Sequence, residues 1–429
     1  MGRGPKVALV LIGAAFLVCC GGVAWYNAPW EAPDEPEHVQ NVQTLVDGRW
    51  YRIGEPDGIE SHQPPLYYLA LAGWQKAIDL PAREPRPVAL GFHPCRPNVC
   101  PLYQHDLERD DADARRVRAL RVPSVLMGLL TIGLTALAAR RLSDDRWTPV
   151  VAAALMASVP RFAFVSASVN NDVLVILCGA AMLALLASTV RPERRRGLED
   201  PVWVALIGGA VLGLALLAKL YGLVLALPLA VGLWSLLRRR GRWRADAFRV
   251  AGAAVIGFLA VSGWWLVMNQ VRYGDPLGAS RARAFLRREI GLGYPRGYGF
   301  ARILVVDLPK RFYETFFYNS AFGRFLLPAA WVTALAGLTR REPDRASNDG
   351  LALLAAFVVS GLLALGVVAI QTATFRVATA YIGLPALACL GALGLERGTR
   401  HVGLRFVPAV LGALVAFVAL RLDVIAIYA

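Results

Sequence analysis

Apolar stretches of about 18 residues or more recur from one end of this chain to the other. A run that long and apolar crosses a bilayer as an α-helix, because a helix satisfies its own backbone donors and acceptors in hydrocarbon. About eleven spans are expected, at 7–25, 119–139, 148–165, 172–190, 202–218, 222–237, 250–268, 325–338, 351–370, 377–395 and 404–425. Hydrophobic residues make up 56% of the 429 and charged residues only 18%. The expected fold is therefore all-α and integral to the membrane, with 1–429 forming a single polytopic domain.

A net charge of +15 invites a nucleic-acid partner, but the distribution of the arginines argues against one. Arg140, Arg141 and Arg146, then Arg191 and Arg194 to Arg196, then Arg238 to Arg240 with Arg242 and Arg244, then Arg340, Arg341 and Arg345, then Arg397 and Arg400 fall in alternate loops. By the positive-inside rule these loops are cytoplasmic, as is an N-terminus carrying Arg3 and Lys6. The first span has no small-x-small cleavage site after it and reads as uncleaved. The reading is of a multi-pass protein of the cell inner (plasma) membrane. Residues 64–80 are interrupted by Lys76 and Asp79 and read as an interfacial helix. Two long segments, 26–118 and 269–324, then lie on the outer face.

Cys19, Cys20, Cys178 and Cys389 sit in apolar runs as small core residues. Cys95 and Cys100 sit in the polar first loop, where an oxidising exterior favours a disulfide. Zinc is the rival, although no second cysteine pair completes a site.

The first loop opens with Ala32-Pro33-Asp34-Glu35-Pro36-Glu37-His38. Ionisable groups at the membrane surface point to function, since desolvating them is costly. Asp34 with Glu37 resembles a capping box for a helix through about Asp47 that Gly48 ends. A helix cap and a catalytic carboxylate are compatible, because a cap holds the carboxyl rigidly. Asp34, Glu35 and His38 are also spaced to share a divalent ion, with Mn, Mg or Zn as candidates.

His62-Gln63-Pro64-Pro65-Leu66-Tyr67-Tyr68 starts the interfacial helix, and His62, Gln63 and Tyr67 are candidates to face a polar substrate. Asn170-Asn171-Asp172 ends the third span on the same side as Asp34 and is either a polar turn or the source of a second carboxylate. Among the outward cations Arg118, Arg121, Arg161, Lys219, Arg272, Arg281, Arg283, Arg287, Arg288 and Arg376, most read as lipid-phosphate snorkels. One or two of them could instead hold a phosphate leaving group. The glycine-rich stretch 291–299 lacks the Gly-Lys-Ser/Thr of a P-loop and reads as an aromatic loop over a sugar or lipid.

These elements in this order resemble the GT-C superfamily of polytopic glycosyltransferases. The likeness is to protein O-mannosyltransferases, lipid A aminoarabinose transferases and bacterial membrane proteins with P-D-E-x-x-H. It is carried by Pro33-Asp34-Glu35-x-x-His38, Gln63-Pro64-Pro65-Leu66-Tyr67-Tyr68, Arg121-Val122-Pro123-Ser124, Val169-Asn170-Asn171-Asp172, Ala218-Lys219, Trp264-x4-Asn269-x2-Arg272-Tyr273-Gly274-Asp275-Pro276 and Gln371-x4-Arg376.

The resemblance implies a polyprenyl-phosphate sugar donor and an acceptor that is a glycan, lipid or protein. Transfer would take place on the outer face with inversion at the sugar. It implies Asp34 as the catalytic carboxylate, with Asp172 and Glu35 in support. Substrate contacts would come from His38, His62, Gln63, Tyr67, Asn171, Lys219, Arg272 and Arg376. This chain departs from the aminoarabinose transferases, which carry an arginine shortly after the acidic pair, where Glu37 and His38 stand here. A transporter or flippase of lipid-linked sugars, or a non-catalytic assembly partner, is the other reading. Charges gathered at one surface, with no repeat in the sequence, favour the enzyme.

Overall fold

The structure is a computed structural model and describes residues 2–27, 29–30, 32, 34–54, 58–80, 89–95, 98–103, 112–190, 200–241, 243–290, 345–372 and 377–399. Its helices are α1 (Arg3–Tyr26), α2 (Glu35–Val46), α3 (Leu66–Ala77), α4 (Ala112–Leu142), α5 (Thr148–Ala157), α6 (Pro160–Ser166), α7 (Asp172–Val190), α8 (Pro201–Ala218), α9 (Ala226–Arg239), α10 (Trp243–Tyr273), α11 (Ala279–Ile290), α12 (Arg345–Thr372) and α13 (Leu384–Thr399). Short 3-10 turns at Ile59–His62, Leu220–Leu225 and Val377–Gly383 join some of them. Among the described residues seven helices are long and apolar enough to cross a membrane. The chain is a multi-pass membrane protein. The expected spans at 325–338 and 404–425 lie outside the described residues.

The expectations for individual elements fare unevenly. The span expected at 148–165 is two helices, α5 and α6, parted at Ser158 and Val159. Pro160 opens α6 and forces the residue before it to be extended, which stops α5. The span expected at 377–395 begins as a 3-10 turn before α13. The interfacial helix is present as α3, and it is too short to cross.

The first loop also holds a hairpin that the all-α reading did not anticipate, β1 (Ala89–Cys95) against β2 (Asn98–Tyr103). Its register sets His93 opposite Cys100 and Cys95 opposite Asn98. The Cys95–Cys100 disulfide concerns side chains outside those described.

The bundle has two distinct polar ends. At one, Arg239 pairs with Asp349 and caps the last carbonyls of α7 at Thr189 and Val190. Ser143 and Thr148 bond Glu396 at this end too, and Gly4 of α1 lies beside Trp147. The described arginine-rich turns thus share an end with the N-terminus. At the other end α1 finishes, α4 and α7 begin, and α8 and α10 finish.

Between the ends, α8 and α10 pack so closely that a Cβ at Gly209 would strike the Ala254 carbonyl, and one at Gly257 the Leu206 carbonyl. In lipid, small residues drive helix association by letting backbones approach. A second apolar cluster, including Val39, Val42, Tyr67, Tyr68, Leu71, Leu120 and Val173, seats α2 and α3 on the ends of α4 and α7.

Candidate active site

The segment joining α1 to α2 is strained and heavily braced. Trp30 (φ 75°) and Asp34 (φ 60°) both lie in the left-handed region, which a non-glycine residue occupies only when its surroundings impose it. The brace is Arg121 of α4. Its Nε and Nη2 donate to the two carboxylate oxygens of Glu35 at 2.9 and 2.6 Å, and Nη1 donates to the carbonyls of Ala24 and Asn27 at 2.9 and 2.7 Å.

Glu35 accepts two further bonds, from the backbone N–H of Trp30 at 3.1 Å and of Val169 at 3.0 Å. Both ion-pair partners are fully buried. Four donors thus occupy the Glu35 carboxylate. It fixes the turn that presents its neighbour Asp34. The capping box is likewise absent: Asp34 precedes α2 without a side-chain capping bond. The reason is the αL backbone, since a capping side chain is normally launched from an extended N-cap residue. The other end of α2 is as expected, with Gly48 at φ 77° and Arg49 N–H bonding back to the Thr44 carbonyl.

A second ion pair faces the same region. Asp172 heads α7, where the helix N-terminus favours a carboxylate. Its Oδ1 accepts from Lys219 Nζ at 2.5 Å and from the Tyr221 hydroxyl at 2.6 Å. Lys219 sits in extended backbone between the end of α8 and the 3-10 turn, which aims its side chain across to α7. Asn170 caps α7 through the Asp172 N–H at 2.8 Å. The sequence allowed a polar turn or a second carboxylate at this point, and the structure has both.

Between the two pairs runs a buried amide and carboxylate network. Asn171 donates to Gln63 Oε1 and the Ala218 carbonyl at 3.3 and 3.2 Å. Gln63 Nε2 donates to Glu60 Oε2 at 2.8 Å, and Asn41 donates to the Glu60 carbonyl at 2.9 Å. His38, only 2% exposed, shares a 2.7 Å hydrogen bond between its Nδ1 and the Tyr68 hydroxyl. Burial lowers the pKa of His38, opposed by the charges of Glu60, Asp34 and Asp172 and aided by that of Lys219. Burial likewise raises the carboxyl of Glu37 above its ordinary value, with Asp34 and Glu60 adding to the rise.

The structure pairs Asp172 with Lys219, sets Asp34 on the turn that Glu35 ties to Val169, and gives several expected contact residues hydrogen bonds within the protein. Tyr67 is fully buried, its hydroxyl shared with Ser124 at 2.7 Å and accepting from the Asn170 N–H at 2.9 Å. Asn171 and Gln63 are buried in the network. His62 bonds the Ile59 carbonyl at 2.7 Å and contacts Gln63. Arg272 is exposed at the end of α10. Arg376 lies outside the described residues.

Sequence reasoning passed over Glu60, Tyr221 and the pairing of Arg121 with Glu35. The only local signal was a carboxylate three residues before Gln63 and a tyrosine two after Lys219. Among the described residues no three His, Cys, Asp or Glu side chains are grouped to hold a metal ion.

Residues 114–266 match the family of dolichyl-phosphate-mannose-protein mannosyltransferases, a stretch that includes Arg121, Asp172 and Lys219 but not Asp34. No curated protein sequence matches the chain. The fold is similar to that of ArnT from Cupriavidus metallidurans bound to undecaprenyl phosphate, at 17% identity and a TM-score of 0.59, covering 92% of this chain and 61% of that one. It is also similar to the Archaeoglobus fulgidus oligosaccharyltransferase in its apo form, at 16% identity and 0.55, covering 100% and 55%. The same organism's oligosaccharyltransferase AglB, in complex with an inhibitory peptide and a dolichol-phosphate, matches at 14% and 0.52, covering 98% and 56%. The chain spans about three-fifths of the length of these structures.

Proposed function

The chain has the fold of the GT-C superfamily of membrane glycosyltransferases, and from that premise we propose that it moves a sugar from a polyprenyl-phosphate donor to an acceptor on the outer face. The observation that carries this is the Asp172–Lys219 ion pair at the end of the bundle opposite the arginine-rich turns, with Asp34 on the turn that Glu35 ties to the Val169 N–H. A lipid-borne donor keeps its head at that depth, and the described relatives bound to undecaprenyl or dolichol phosphate lend support. The positive-inside rule assigns the arginine end to the cytoplasm and hence this end to the exterior.

In this reading Asp34 takes the proton of the acceptor hydroxyl as its oxygen attacks the anomeric carbon. The bond to phosphate oxygen breaks on the opposite side, the electron pair leaves with the phosphate, and the sugar inverts. Lys219 stabilises the departing charge, and Asp172 with Tyr221 holds that lysine in place. The acceptor is a glycan, lipid or protein hydroxyl.

The test is purified protein with a panel of labelled polyprenyl-phosphate sugars, scored for transfer or release with and without chelator. Activity that Asp34→Asn abolishes in a folded protein supports the reading. Full activity in that variant overturns it. The chelator arm tests the divalent ion considered for Asp34 and His38.

A further inference from the structure

The end of α10 opposite the arginine-rich turns carries the residues of a membrane interface in order. Val267 and Val271, 64% and 81% exposed, turn their side chains out of the bundle, as lipid-facing residues do on a helix that crosses the membrane. Arg272 follows them and is exposed. The chain then turns through Gly274 and Gly278, both at positive φ. Asp275 holds this turn by accepting from the Leu277 and Ser280 N–H groups at 3.0 and 2.8 Å. Helix α11 therefore begins within a few residues of the headgroup level.

Contacts with the first long loop hold α11 in that place. Ala282 and Phe285 are buried, and a Cβ at Gly54 would sit 3.7 Å from both Phe285 and the Arg281 guanidinium. The Ile53 N–H donates to the Tyr273 hydroxyl at 3.0 Å, and the Ile53 side chain lies against Gly278. Trp50 meets Trp264 of α10 edge-on at 5.7 Å, with the two side chains 42% and 44% exposed. Tryptophan suits this depth, since its ring is apolar and its N–H polar.

The rest of α11 is cationic. Four arginines and one glutamate stand among its twelve residues. Arg281 and Arg283 are exposed and make no hydrogen bond or ion pair among the described residues. They stand at the end of the bundle that the positive-inside rule leaves poor in positive charge. Because Ala282 and Phe285 turn to the protein, the outward face is one of charge rather than one that inserts into hydrocarbon. The complement to such a face at headgroup level is an anionic phosphate, which arginine can bind bidentately.

We propose that Arg281 and Arg283 of α11 form a binding surface for the phosphate headgroup of an anionic phospholipid in the adjoining leaflet. The surface is tied to the loop that carries Glu60 and Gln63. In that loop the Gly54 N–H donates to the Ser61 hydroxyl at 3.1 Å, and the Tyr51 hydroxyl donates to the Gln63 carbonyl at 3.1 Å. The proposal stands apart from the transferase reading, because lipid binding is measured without turnover.

Trp50 and Trp264 supply the probe. The full chain is reconstituted in phosphatidylcholine vesicles, and quenching by brominated phosphatidylglycerol is compared with quenching by brominated phosphatidylcholine. The signal of this pair among eleven tryptophans is the part that Trp50→Phe with Trp264→Phe removes. Phosphatidylglycerol is expected to bind about three- to tenfold more tightly than phosphatidylcholine. Arg281→Gln with Arg283→Gln should reduce that preference to less than about twofold. Arg281→Lys with Arg283→Lys should keep most of it, which shows that charge rather than a disturbed fold is read. No preference in the native protein, or one that the glutamine pair leaves intact, overturns the proposal. Displacement of phosphatidylglycerol by an equimolar amount of polyprenyl phosphate overturns it as well, because the surface would then belong to the sugar donor.

Discussion

The Arg121 guanidinium forks onto the Glu35 carboxylate at 2.9 and 2.6 Å, with both side chains wholly out of solvent. A pair of this kind reveals its importance when one member is removed, because the other is left charged and buried. Arg121→Met should therefore destabilise the protein by about 3–5 kcal/mol. Arg121→Lys should rescue little, since an ammonium cannot fork onto the carboxylate and also hold the Ala24 and Asn27 carbonyls. Thermal unfolding in detergent reads both, and a native-like Arg121→Lys would show that charge alone is enough.

Lys219 and Asp172 are more accessible, at 12% and 10% side-chain exposure, so substitutions there should affect activity more than folding. Lys219→Met is expected to lower kcat by about a hundredfold or more through lost stabilisation of the leaving phosphate. Tyr221→Phe removes a hydroxyl donor to Asp172 while leaving Lys219 bonded to it and should act more mildly. Steady-state rates at saturating donor distinguish them, and an unaffected Lys219→Met would remove the lysine from the mechanism.

The α8–α10 contact predicts a sharp contrast among glycines. Gly209→Ala and Gly257→Ala each drive a methyl into a facing carbonyl and should destabilise by about 1–3 kcal/mol. Gly252→Ala, with nothing within 4 Å of the added carbon, should be neutral or slightly stabilising in the helix of which it is part. Unfolding midpoints of the three variants check this, and equal midpoints would mean the helices do not approach as described.

His38 also makes stability depend on pH. Burial holds its pKa below the ordinary 6.5, so as pH falls through 6.5 the unfolded chain binds a proton that the folded ring refuses. Stability then declines with acidification, and this contribution is absent above that range. Glu37, raised by burial, acts with the opposite sign and at lower pH, where stability declines as pH rises past the ordinary carboxyl value of 4.5. Comparing the native protein with His38→Gln cancels the Glu37 contribution. The native unfolding temperature should drop more between about pH 7.5 and pH 5.5, and parallel curves would show that His38 titrates as a solvated ring.

The fold was legible wherever one segment's composition decides its environment. The apolar runs give α1, α7, α8 and α10, and the lysine and aspartate within 64–80 keep α3 at the surface. Pro160 was in plain view, yet the break it makes between α5 and α6 was not read, because apolarity alone does not reveal a lost backbone donor. In the site, Asp172 and Lys219 were both named beforehand and pair directly, and Asp34 stands on the turn that Glu35 ties to Val169. Tyr67, Asn171 and Gln63 looked like substrate contacts because they are polar residues near that end. Burial turned them into braces.

By itself, the sequence determined that the chain lies in a membrane, that its arginine-rich turns share one end, and that its acidic motifs share the other. Those follow from the cost of exposing backbone and charge to hydrocarbon, which each segment meets alone. Only the tertiary structure decided what holds the two acidic residues of the pair. Asp34 and Glu35 are adjacent and chemically alike, but Arg121, 86 residues away, and the Val169 N–H, 134 away, both bind the Glu35 carboxylate and so fix the turn that carries Asp34. The fate of a carboxylate depends on donors brought from distant parts of the chain, and no local pattern records where they come from.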